Sequence, residues 1–573
     1  MRPEAAERPN EAASERTASS TRQIGLDAGP LLTPVLPPVW VPVVIALIAG
    51  ALNVFAFAPF GLWPLQILCA AVLFAMVMRA PTVRRAALLG WLYSFAWTCA
   101  GVFWLYISLH DLGGLPAVVT VLAIGLLALG LGLIVGAATG GARWLQQRHA
   151  TGAAPTLLLT LPALWMLAEW TRSWIFTGFP WLSTGLAHTA SPLAGFAPLI
   201  GVYGISLVAA VIAAALTMAA MRLADCRRPA TEHPKSRALA FLLPAALIVV
   251  PLAAGQALRG IDWTHPQGKP ITVRLLQGNI PQEMKFDAGT LGQTLGLYDA
   301  LITQAPADLI ATPETAVPVL RQELPPDYLQ RLSNYATHSD SHVLVGIPIS
   351  DGPGLYTNGL IVLDPVPPAV TTFPVPIASV PAVYRYDKHH LVPFGEFIPP
   401  GFRWFVDMMQ IPLGDQTRGP LLQAPFAVKD QWIMPNICYE DLFGEEIAAQ
   451  IRDRVWRDLP PPSMLLNISN IAWFGDSIAL PQHLQISQMR TLETGLPMLR
   501  ATNTGATAVI GARGNIQAQL APFTRGVLAA SVQGYGGMTP YVRLGNGTAV
   551  NLALLLIIAA AASARLRRRL PSA

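Results

Sequence analysis

Charged residues are scarce in this chain. Only 12% of its 573 residues are Asp, Glu, Lys or Arg, whereas 53% are hydrophobic. Soluble domains usually carry about 25% charged residues. A protein with so few charged side chains cannot cover its whole surface with solvated groups, so much of the chain is expected to face lipid.

Cysteines are also few, and no two lie close together in the sequence. The four are Cys69, Cys99, Cys226 and Cys438. Without a C-x-x-C pair, they give no support for a structural zinc site or a disulfide framework. Cys69 and Cys99 lie within apolar runs and are interpreted as small buried hydrophobic residues, while Cys226 lies in a polar, arginine-containing loop and is interpreted as incidental.

Two further patterns are missing. No basic stripe is interleaved with aromatic residues, so nucleic acid is not expected as a partner. Residues 1–36 are rich in Ala, Glu, Arg, Ser, Thr and Pro, and no hydrophobic region follows a short basic start. This segment is therefore predicted to be a disordered cytoplasmic tail and not a signal peptide.

Long apolar runs, in contrast, are abundant. A helix needs about 20 apolar residues to cross a bilayer, and eight runs lie near this length. They occur at 39–58, 62–79, 86–109, 116–140, 155–174, 192–221, 238–257 and 548–564. The sequence thus predicts a membrane domain with seven spans at 37–262, and an eighth span with a basic cytoplasmic tail at 546–573.

Arginine and lysine are unevenly distributed among the segments that flank these spans. They cluster before the first span, between spans two and three, between four and five, between six and seven, and after the eighth. With eight spans, all five clusters lie on one side of the membrane, which the positive-inside rule makes cytoplasmic. The same parity places residues 263–545 outside the cytoplasm.

The 263–545 region has lower hydropathy and alternates between strand-like and helical segments. Seven segments rich in Val, Ile and Leu predict strands: Ile271–Ile280, Asp308–Pro313, His342–Ile349, Asn358–Leu363, Trp432–Ile437, Met464–Ile468 and Ala506–Gly511. Helices are predicted at Asp327–His338, Phe443–Asp458 and Ser477–Thr494. This alternation is typical of an α/β fold in which helices cover a sheet.

Three polar residues, Glu314, Lys388 and Cys438, each close a strand-like segment. Taken singly, a cysteine is most often a core residue, and a glutamate or lysine is most often solvated. A thiol with a pKa of about 8.5 is mostly protonated at neutral pH and needs a base to act as a nucleophile. Glu314 could be this base, and Lys388 could stabilise the oxyanion of a tetrahedral intermediate.

In their sequence contexts these three residues resemble the Glu-Lys-Cys triad of the nitrilase superfamily. With the added spans, the chain is similar to the apolipoprotein N-acyltransferase family of bacterial envelopes. The motifs that carry this resemblance are Gln277–Gln282, Tyr386–Lys388, Val392–Glu396, Cys438–Glu440, Trp473–Gly475 and, in the membrane half, Thr177–Trp181. The resemblance implies an α-helical membrane bundle of about eight spans joined to a nitrilase-like α-β-β-α sandwich.

The resemblance also implies a reaction in two half-reactions. Cys438 takes a fatty acyl chain from the sn-1 position of a phospholipid, with phosphatidylethanolamine as the expected donor, and holds it as a thioester. The N-terminal α-amine of S-diacylglyceryl-cysteine on an apolipoprotein then accepts the chain. The family implies a monomer in the bacterial inner membrane with a periplasmic catalytic domain, and no metal or soluble cofactor.

Further residues take their expected roles from the resemblance alone. Glu396 and Glu440 are expected to orient Lys388 and shape the site. Tyr439 is expected to be a further supporting residue of the same site. Seven residues are expected to line the substrate or lipid region: Gly178, Phe179, Trp181, Gln282, Phe286, Trp473 and Phe474. The family often has Trp at the position of Phe286, so the lid contact expected there lacks an indole N–H.

Several alternatives remain open from the residues alone. An amidase with the same triad would use water as the acceptor, but a single span would be enough to anchor such an enzyme. A transporter would need polar residues deep in several spans. A Cys–His nucleophile would draw on His389, His390 or His483.

Glu169 and Arg172 in span five are spaced to pair on one helix face. The segment at 402–411 is aromatic and Met-rich, and it could enter lipid or pack internally.

Overall fold

The computed structural model describes residues 40–149, 151–226, 234–365, 384–398, 403 and 415–569. The predicted tail at 1–36 lies outside the described residues. The same holds for the aromatic and methionine side chains that were considered for lipid insertion: Phe402, Trp404, Phe405, Met408 and Met409.

Helices occupy the positions of all eight predicted spans. They are Trp40–Leu52, Trp63–Arg79, Val83–Gly101, Ala117–His149, Ala153–Arg172, Ala197–Cys226, Pro234–Leu258 and Gly547–Arg569. In the described part of the chain, five stretches are long and apolar enough to cross a membrane: Ala117–His149, Ala153–Arg172, Pro192–Ala224, Phe241–Leu258 and Gly547–Leu566. The number of spans stays a prediction.

Small residues allow the membrane helices to approach one another closely. Where Val83–Gly101 meets Ala117–His149, a Cβ added to Gly90 would lie 2.2 Å from Thr139 Oγ1. The same Thr139 hydroxyl donates to the Ala86 carbonyl at 3.0 Å. Small residues and interhelical hydrogen bonds of this kind associate helices where lipid removes the hydrophobic driving force.

Within the described residues, twelve strands form two six-stranded sheets. They are β1 (His265–Gln277), β2 (Leu309–Ala311), β3 (His342–Gly352), β4 (Leu355–Leu363), β5 (Tyr384–Asp387), β6 (Phe426–Val428), β7 (Gln431–Ile437), β8 (Met464–Ser469), β9 (Met498–Thr502), β10 (Ala508–Ile510), β11 (Ile516–Gln519) and β12 (Gly526–Gly536). The first sheet has the order β12-β1-β2-β3-β4-β5, and the second has the order β11-β10-β9-β8-β7-β6.

Strand direction decides where the polar strand ends meet. β1, β2 and β3 are parallel, and two antiparallel steps, β3 to β4 and β4 to β5, return β5 to the direction of β2. In the second sheet β7, β8 and β9 are parallel. The carboxyl ends of β2 and β5 therefore lie at one edge of the first sheet, and those of β7 and β8 lie at one edge of the second.

Alternating side chains divide the first sheet between two cores. Leu344 faces the second sheet and belongs to the core shared by both sheets. Its neighbours Val343 and Val345 point to the opposite face, into a core with the helices Leu291–Thr303 and Tyr328–Ser339. This period of two is the signature of a strand buried on both faces.

The second sheet repeats the arrangement. Ile433 enters the core between the sheets, whereas Met434 and Leu465 pack outward. The outer core contains residues of the helices Gly444–Trp456 and Ala479–Thr494. The layers are thus helix, sheet, sheet and helix, and the predicted α-β-β-α sandwich is confirmed.

All seven predicted strands are present, although their ends differ. The predicted Asp308–Pro313 pairs only over β2, because the chain then turns toward the sheet edge. The sequence did not predict β5, β6, β9, β11, β12 or the helix Leu291–Thr303. β6 has only three residues, β11 is mostly exposed, and β9 contains Arg500, so none of these strands has a clear hydrophobic pattern.

Candidate active site

Three strand ends from both sheets converge at one place. Lys388 directly follows β5, Cys438 directly follows β7, and Glu314 lies three residues beyond β2. Lys388 Nζ lies 3.2 Å from Glu314 Oε1, and the Cys438 thiol is close enough for both charges to act on it. The structure therefore brings together the three residues singled out from the sequence.

Cys438 lies at a sharp turn between a strand and a helix. Its φ of 53° is in the left-handed region, which residues other than glycine rarely adopt, and a short 3-10 helix, Cys438–Leu442, begins at this residue. Asn467 Nδ2 donates to the Cys438 carbonyl at 3.4 Å. Backbone conformations of this kind cluster at functional sites, where the surrounding structure holds them in place.

The Glu314 carboxyl group is buried and held on both oxygens. Its Oε1 accepts from Asn358 Nδ2 at 2.7 Å as well as from Lys388, and its Oε2 accepts from the Asn470 backbone N–H at 2.7 Å. Burial by itself raises the pKa of Glu314. The Lys388 and Lys285 ammonium groups and the hydrogen bonds outweigh burial and lower this pKa below its usual value, so Glu314 is ionised and able to accept a proton.

Lys388 lies between two carboxylates. Its Nζ is 2.7 Å from Glu396 Oε1, while Glu396 Oε2 accepts from the Val392 N–H at 2.8 Å. Asn358 Nδ2 reaches Glu396 at 2.8 Å and so bridges Glu396 and Glu314. Burial lowers the pKa of Lys388, but Glu314, Glu396 and Cys438 together raise it above the usual lysine value, which keeps the ammonium charged.

Glu440 accepts hydrogen bonds from the backbone around the site. It accepts hydrogen bonds from the N–H groups of Ile437 at 2.6 Å, His389 at 2.6 Å and His390 at 3.2 Å, and from the Tyr386 hydroxyl at 3.0 Å. Burial raises the pKa of Glu440 to about 7, against the lowering effect of these backbone bonds. Through these contacts Glu440 ties the segment after β5 to the Cys438 turn, whereas Glu396 contacts the lysine amine itself.

The Cys438 thiol rests in its protonated form. Burial raises its pKa above the usual cysteine value, the negative charges of Glu314 and Glu396 raise it further, and Lys388 only partly opposes them. Attack by sulfur therefore requires proton transfer, and Glu314 is the ionised carboxylate near the thiol that can take the proton. This arrangement differs from a preformed thiolate–cation pair.

Lys285, Asn358 and Asn470 are part of the site but were not singled out from the sequence. Lys285 is 3% exposed, and its Nζ donates to the Glu314 carbonyl oxygen at 2.9 Å. Burial lowers the pKa of Lys285 to about 8, while Glu314 and Cys438 oppose the shift. The only sequence signal is the spacing of Gln282 and Lys285, three residues apart in the short helix Gln282–Lys285, where both are buried.

Gln282 and Phe286 occupy different environments, although both were expected to line the substrate region. Gln282 is buried, and its Oε1 accepts from Asn470 Nδ2 at 2.8 Å, which connects it to Glu314 through the Asn470 backbone N–H. Phe286 is 39% exposed, at the end of the short helix.

The loop between the helices Ala153–Arg172 and Ala197–Cys226 contacts the Cys438 turn. The Tyr439 hydroxyl donates to the Gly178 carbonyl at 2.9 Å. Gly178 has a φ of 90°, and a Cβ added there would lie 2.1 Å from the Ser173 carbonyl oxygen. This position therefore requires glycine.

Aromatic side chains close the junction next to this loop. Trp181 is 2% exposed and its indole N–H donates to Gln482 at 2.8 Å. Its ring lies 4.8 Å from that of Trp104 and 6.0 Å from that of Phe474, between centroids. Trp181 is thus packed inside the protein, between the membrane half and the helix Ala479–Thr494.

The two remaining residues of this set contact their neighbours through the backbone. The Trp473 carbonyl accepts from the Ser108 hydroxyl at 2.6 Å. The Phe179 N–H donates to the Arg172 carbonyl at 2.8 Å. Both contacts involve the membrane half, which places Trp473 and Phe179 near the same junction.

The three histidines considered as bases have other partners. His389 Nδ1 lies 2.8 Å from the Gly419 carbonyl, and the His390 ring nitrogens lie 2.8 Å from Glu446 and 2.7 Å from the Thr177 carbonyl.

His483 lies close to the site but in a neutral form. Arg500 can only donate, so Nδ1 of His483, at 2.7 Å from it, is an acceptor. Burial and Arg500 both hold the pKa of His483 well below its usual value.

Glu169 and Arg172, whose spacing would allow them to pair, have separate hydrogen-bond partners. Glu169 accepts from the Thr184 backbone N–H, at 3.0 Å to Oε1, and from the Thr184 hydroxyl. Arg172 points to Ser183 at 3.5 Å and lies over the Trp97 ring at 5.7 Å. Among the described residues no salt bridge joins the two charges, because the loop after the helix supplies closer polar partners.

Comparisons with known proteins cover both halves of the chain. A family model described as the apolipoprotein N-acyltransferase N-terminal domain matches residues 49–215, and one described as carbon-nitrogen hydrolase matches residues 272–541. An apolipoprotein N-acyltransferase of Ralstonia nicotianae is 46% identical over 524 residues, which cover 91% of this chain and 93% of that protein. One of Nitrosomonas europaea is 42% identical, with coverages of 91% and 97%.

Among solved structures, an amidase from Nesterenkonia sp. is similar to part of the chain. It has 16% sequence identity and a TM-score of 0.34, and the match covers 49% of this chain and 95% of the amidase.

Proposed function

This chain belongs to the apolipoprotein N-acyltransferase family, and we propose that Cys438 carries the acyl group in its reaction. The function is lipoprotein N-acylation by an acyltransferase of the carbon-nitrogen hydrolase superfamily. Its substrates are a phospholipid and a lipoprotein, which a membrane protein can meet at the bilayer. Amidase activity with water as the acceptor is not favoured.

In the first half-reaction, Cys438 Sγ attacks the carbonyl carbon of the phospholipid sn-1 ester. Glu314 takes the thiol proton as the carbon–sulfur bond forms. The tetrahedral intermediate carries its negative charge on the former carbonyl oxygen, where the Lys388 ammonium stabilises it. The ester C–O bond then breaks, Glu314 returns the proton to the leaving lysophospholipid oxygen, and a thioester remains.

In the second half-reaction, the neutral α-amine of the diacylglyceryl-cysteine attacks the thioester carbonyl. Glu314 takes a proton from the nitrogen as the carbon–nitrogen bond forms, and Lys388 again stabilises the oxyanion. The carbon–sulfur bond breaks, and Cys438 recovers its proton from Glu314. One carboxylate thus serves as base and acid in turn in both half-reactions.

The finer assignments are proposals of the same kind. We assign phosphatidylethanolamine as the donor and a monomer as the active form. We assign the bacterial inner membrane as the location, with residues 263–545 on the periplasmic side. The distribution of arginine and lysine between the apolar helices supports this orientation.

The observation that carries the proposal is the convergence of Glu314, Lys388 and Cys438 where the sandwich meets the membrane half. Lys388 lies 3.2 Å from Glu314, and the charges of both residues act on the Cys438 thiol. The hydrogen bond from Tyr439 to Gly178 connects this site to the membrane half. A base, a cation and a nucleophile next to lipid are what acyl transfer from a phospholipid needs.

Mass spectrometry of a diacylglyceryl-cysteine peptide tests the proposal. After incubation with the purified protein and phosphatidylethanolamine, the peptide should gain one acyl chain. Cys438→Ser should abolish both this gain and the hydroxylamine-sensitive label on the protein. Cys99→Ser, a cysteine in the helix Val83–Gly101, is the matched control and should keep both.

Two outcomes would overturn the proposal. Free fatty acid with no gain in peptide mass would mean hydrolysis instead of transfer. A gain in peptide mass catalysed by Cys438→Ser would remove this thiol from the reaction.

A further inference from the structure

Lys285 is a buried cation that the two half-reactions above do not use. It ends the helix Gln282–Lys285, where it and Gln282 are the buried residues, whereas Met284 is exposed. Its Nζ donates to the Glu314 carbonyl oxygen at 2.9 Å. This contact places a second ammonium group next to the residue that we propose as the base.

The charges of the site balance only when Lys285 is included. Glu314 and Glu396 both lie against Lys388, at 3.2 and 2.7 Å, so that one ammonium group faces two carboxylates. Glu440, a third carboxyl group, instead faces backbone amides and the Tyr386 hydroxyl. Two carboxylates that share a buried site with one cation tend to retain a proton, because like charges raise the pKa of one of them.

We propose that Lys285 is a positioning residue that supplies the second positive charge of the site and thereby keeps Glu314 ionised as the base in both half-reactions. This inference rests on the proposed roles of Glu314 and Cys438. It adds a residue to the reaction that the Glu-Lys-Cys constellation does not contain.

The location of Lys285 suits both stages of proton transfer. When the proton moves from Cys438 to Glu314, negative charge moves from the carboxylate to the sulfur and then to the oxyanion. Lys285 attracts both the Glu314 and the Cys438 anions. The positive charge therefore remains effective before and after the transfer, and the site stays close to neutral.

Removal of the Lys285 charge should change the pH dependence in a predictable direction. Without this cation the pKa of Glu314 rises, so the carboxylate is lost at a higher pH than in the unmodified protein. The groups that then face Glu314 are Lys388, Glu396 and Cys438, with Glu440 behind the Cys438 turn. The acidic limb of the rate profile should consequently move to higher pH.

Single-turnover acylation of the full-length protein by phosphatidylethanolamine vesicles, measured across the acidic pH range, tests this inference. Lys285→Met keeps the length of the side chain but removes its charge, and it should move the acidic limb upward by about one pH unit or more. Lys285→Arg keeps the charge, so the acidic limb of its rate profile should lie close to that of the unmodified protein. Lys429→Met is the control, because Lys429 pairs with Asp340 on the surface.

A double variant separates charge balance from a structural role. Glu396→Gln removes one carboxylate from the site, so Lys285→Met with Glu396→Gln again has matched charges. The acidic limb of this double variant should return toward that of the unmodified protein.

The inference is overturned if Lys285→Met lowers the rate by the same factor at every pH, or if the double variant keeps the full limb shift of Lys285→Met alone. If Lys285→Met does not fold, Lys285→Arg still decides, since a shift of the acidic limb to higher pH in this charged variant would contradict a role for the charge. Normal turnover by Glu314→Ala would instead show that Glu314 is not the base. That result would reject the proposed function.

Discussion

The Tyr439 hydroxyl donates a hydrogen bond to the Gly178 carbonyl oxygen at 2.9 Å. Tyr439 directly follows Cys438, and Gly178 lies in the loop between two apolar helices of the membrane half. This bond connects the Cys438 turn to the membrane half. The relative position of these two segments is therefore set by a contact one residue from the proposed nucleophile.

Tyr439→Phe removes this bond and leaves the aromatic packing in place. A single hydrogen bond contributes about 0.5–1.5 kcal/mol, so we expect the rate of acyl-enzyme formation to fall by about two- to tenfold. Tyr384→Phe, which removes a hydroxyl bonded to the Ala424 carbonyl far from the membrane half, is the control. Equal rates for the two variants would show that the Tyr439 bond does not position the nucleophile.

Gly178→Ala should be more severe. At a φ of 90° an alanine is strained, and its Cβ would meet the Ser173 carbonyl at 2.1 Å, so the loop must move. We expect both a lower thermal unfolding temperature and slower acylation. Gly125→Ala is the control, since a Cβ there has no neighbour within 4 Å and alanine favours a helix. An unchanged Gly178→Ala protein would contradict the strain inferred for this loop.

The side-chain amide of Asn358 donates hydrogen bonds to two buried carboxylates. Its Nδ2 donates to Glu314 at 2.7 Å and to Glu396 at 2.8 Å. Hydrogen bonds to charged groups contribute about 1.5–3 kcal/mol, so Asn358→Ala should slow acylation by at least about tenfold.

Asn358→Asp should slow acylation more than Asn358→Ala does, because it adds a third carboxylate to the site. Asn334→Ala, on the exposed face of the helix Tyr328–Ser339, is the control and should have no effect on the rate. Faster acylation by Asn358→Asp than by Asn358→Ala would show that Asn358 does not act as a hydrogen-bond donor to the carboxylates.

Glu314 should also contribute to stability in a pH-dependent way. Its folded pKa is lowered by Lys388 and Lys285 against the effect of burial, so its ionised form stabilises the fold above the unfolded glutamate pKa of about 4.3. That contribution is lost as the pH falls below this value. The difference in unfolding temperature between the unmodified protein and Glu314→Gln should therefore shrink between neutral and acidic pH. A difference that grows on acidification would reverse the sign of the inferred shift.

Some strands could be predicted because their pattern is local. β3 and β7 are runs of Val, Ile, Leu and Met bounded by turn residues, and both were predicted close to their observed ends. β9 was missed because Arg500 interrupts it. That side chain is fully buried, 3.3 Å from Asp441, a partner outside the strand. A charge that is neutralised by a distant residue cannot be recognised as a core position from its neighbours in the chain.

The site shows the same division. The residue types at 314, 388 and 438 suit the proposed base, cation and nucleophile, and the resemblance to a known triad rests on short motifs around each. Lys285 was missed because nothing near it in the chain indicates burial, and a lysine is usually solvated. Its contact with the Glu314 carbonyl arises from the position of a short helix after β1, which the sequence pattern does not specify.

Hydropathy, charge and residue type are properties of single segments, so the sequence by itself determined the membrane character of this protein, the α/β nature of residues 263–545 and the choice of Cys438 as the proposed nucleophile. Only the tertiary structure decided that Glu314 and Lys388, 74 residues apart, meet at one thiol, and that a second lysine joins them. Such proximity depends on strand direction and on how two sheets stack, since side chains distant in sequence are brought together by packing of the whole domain.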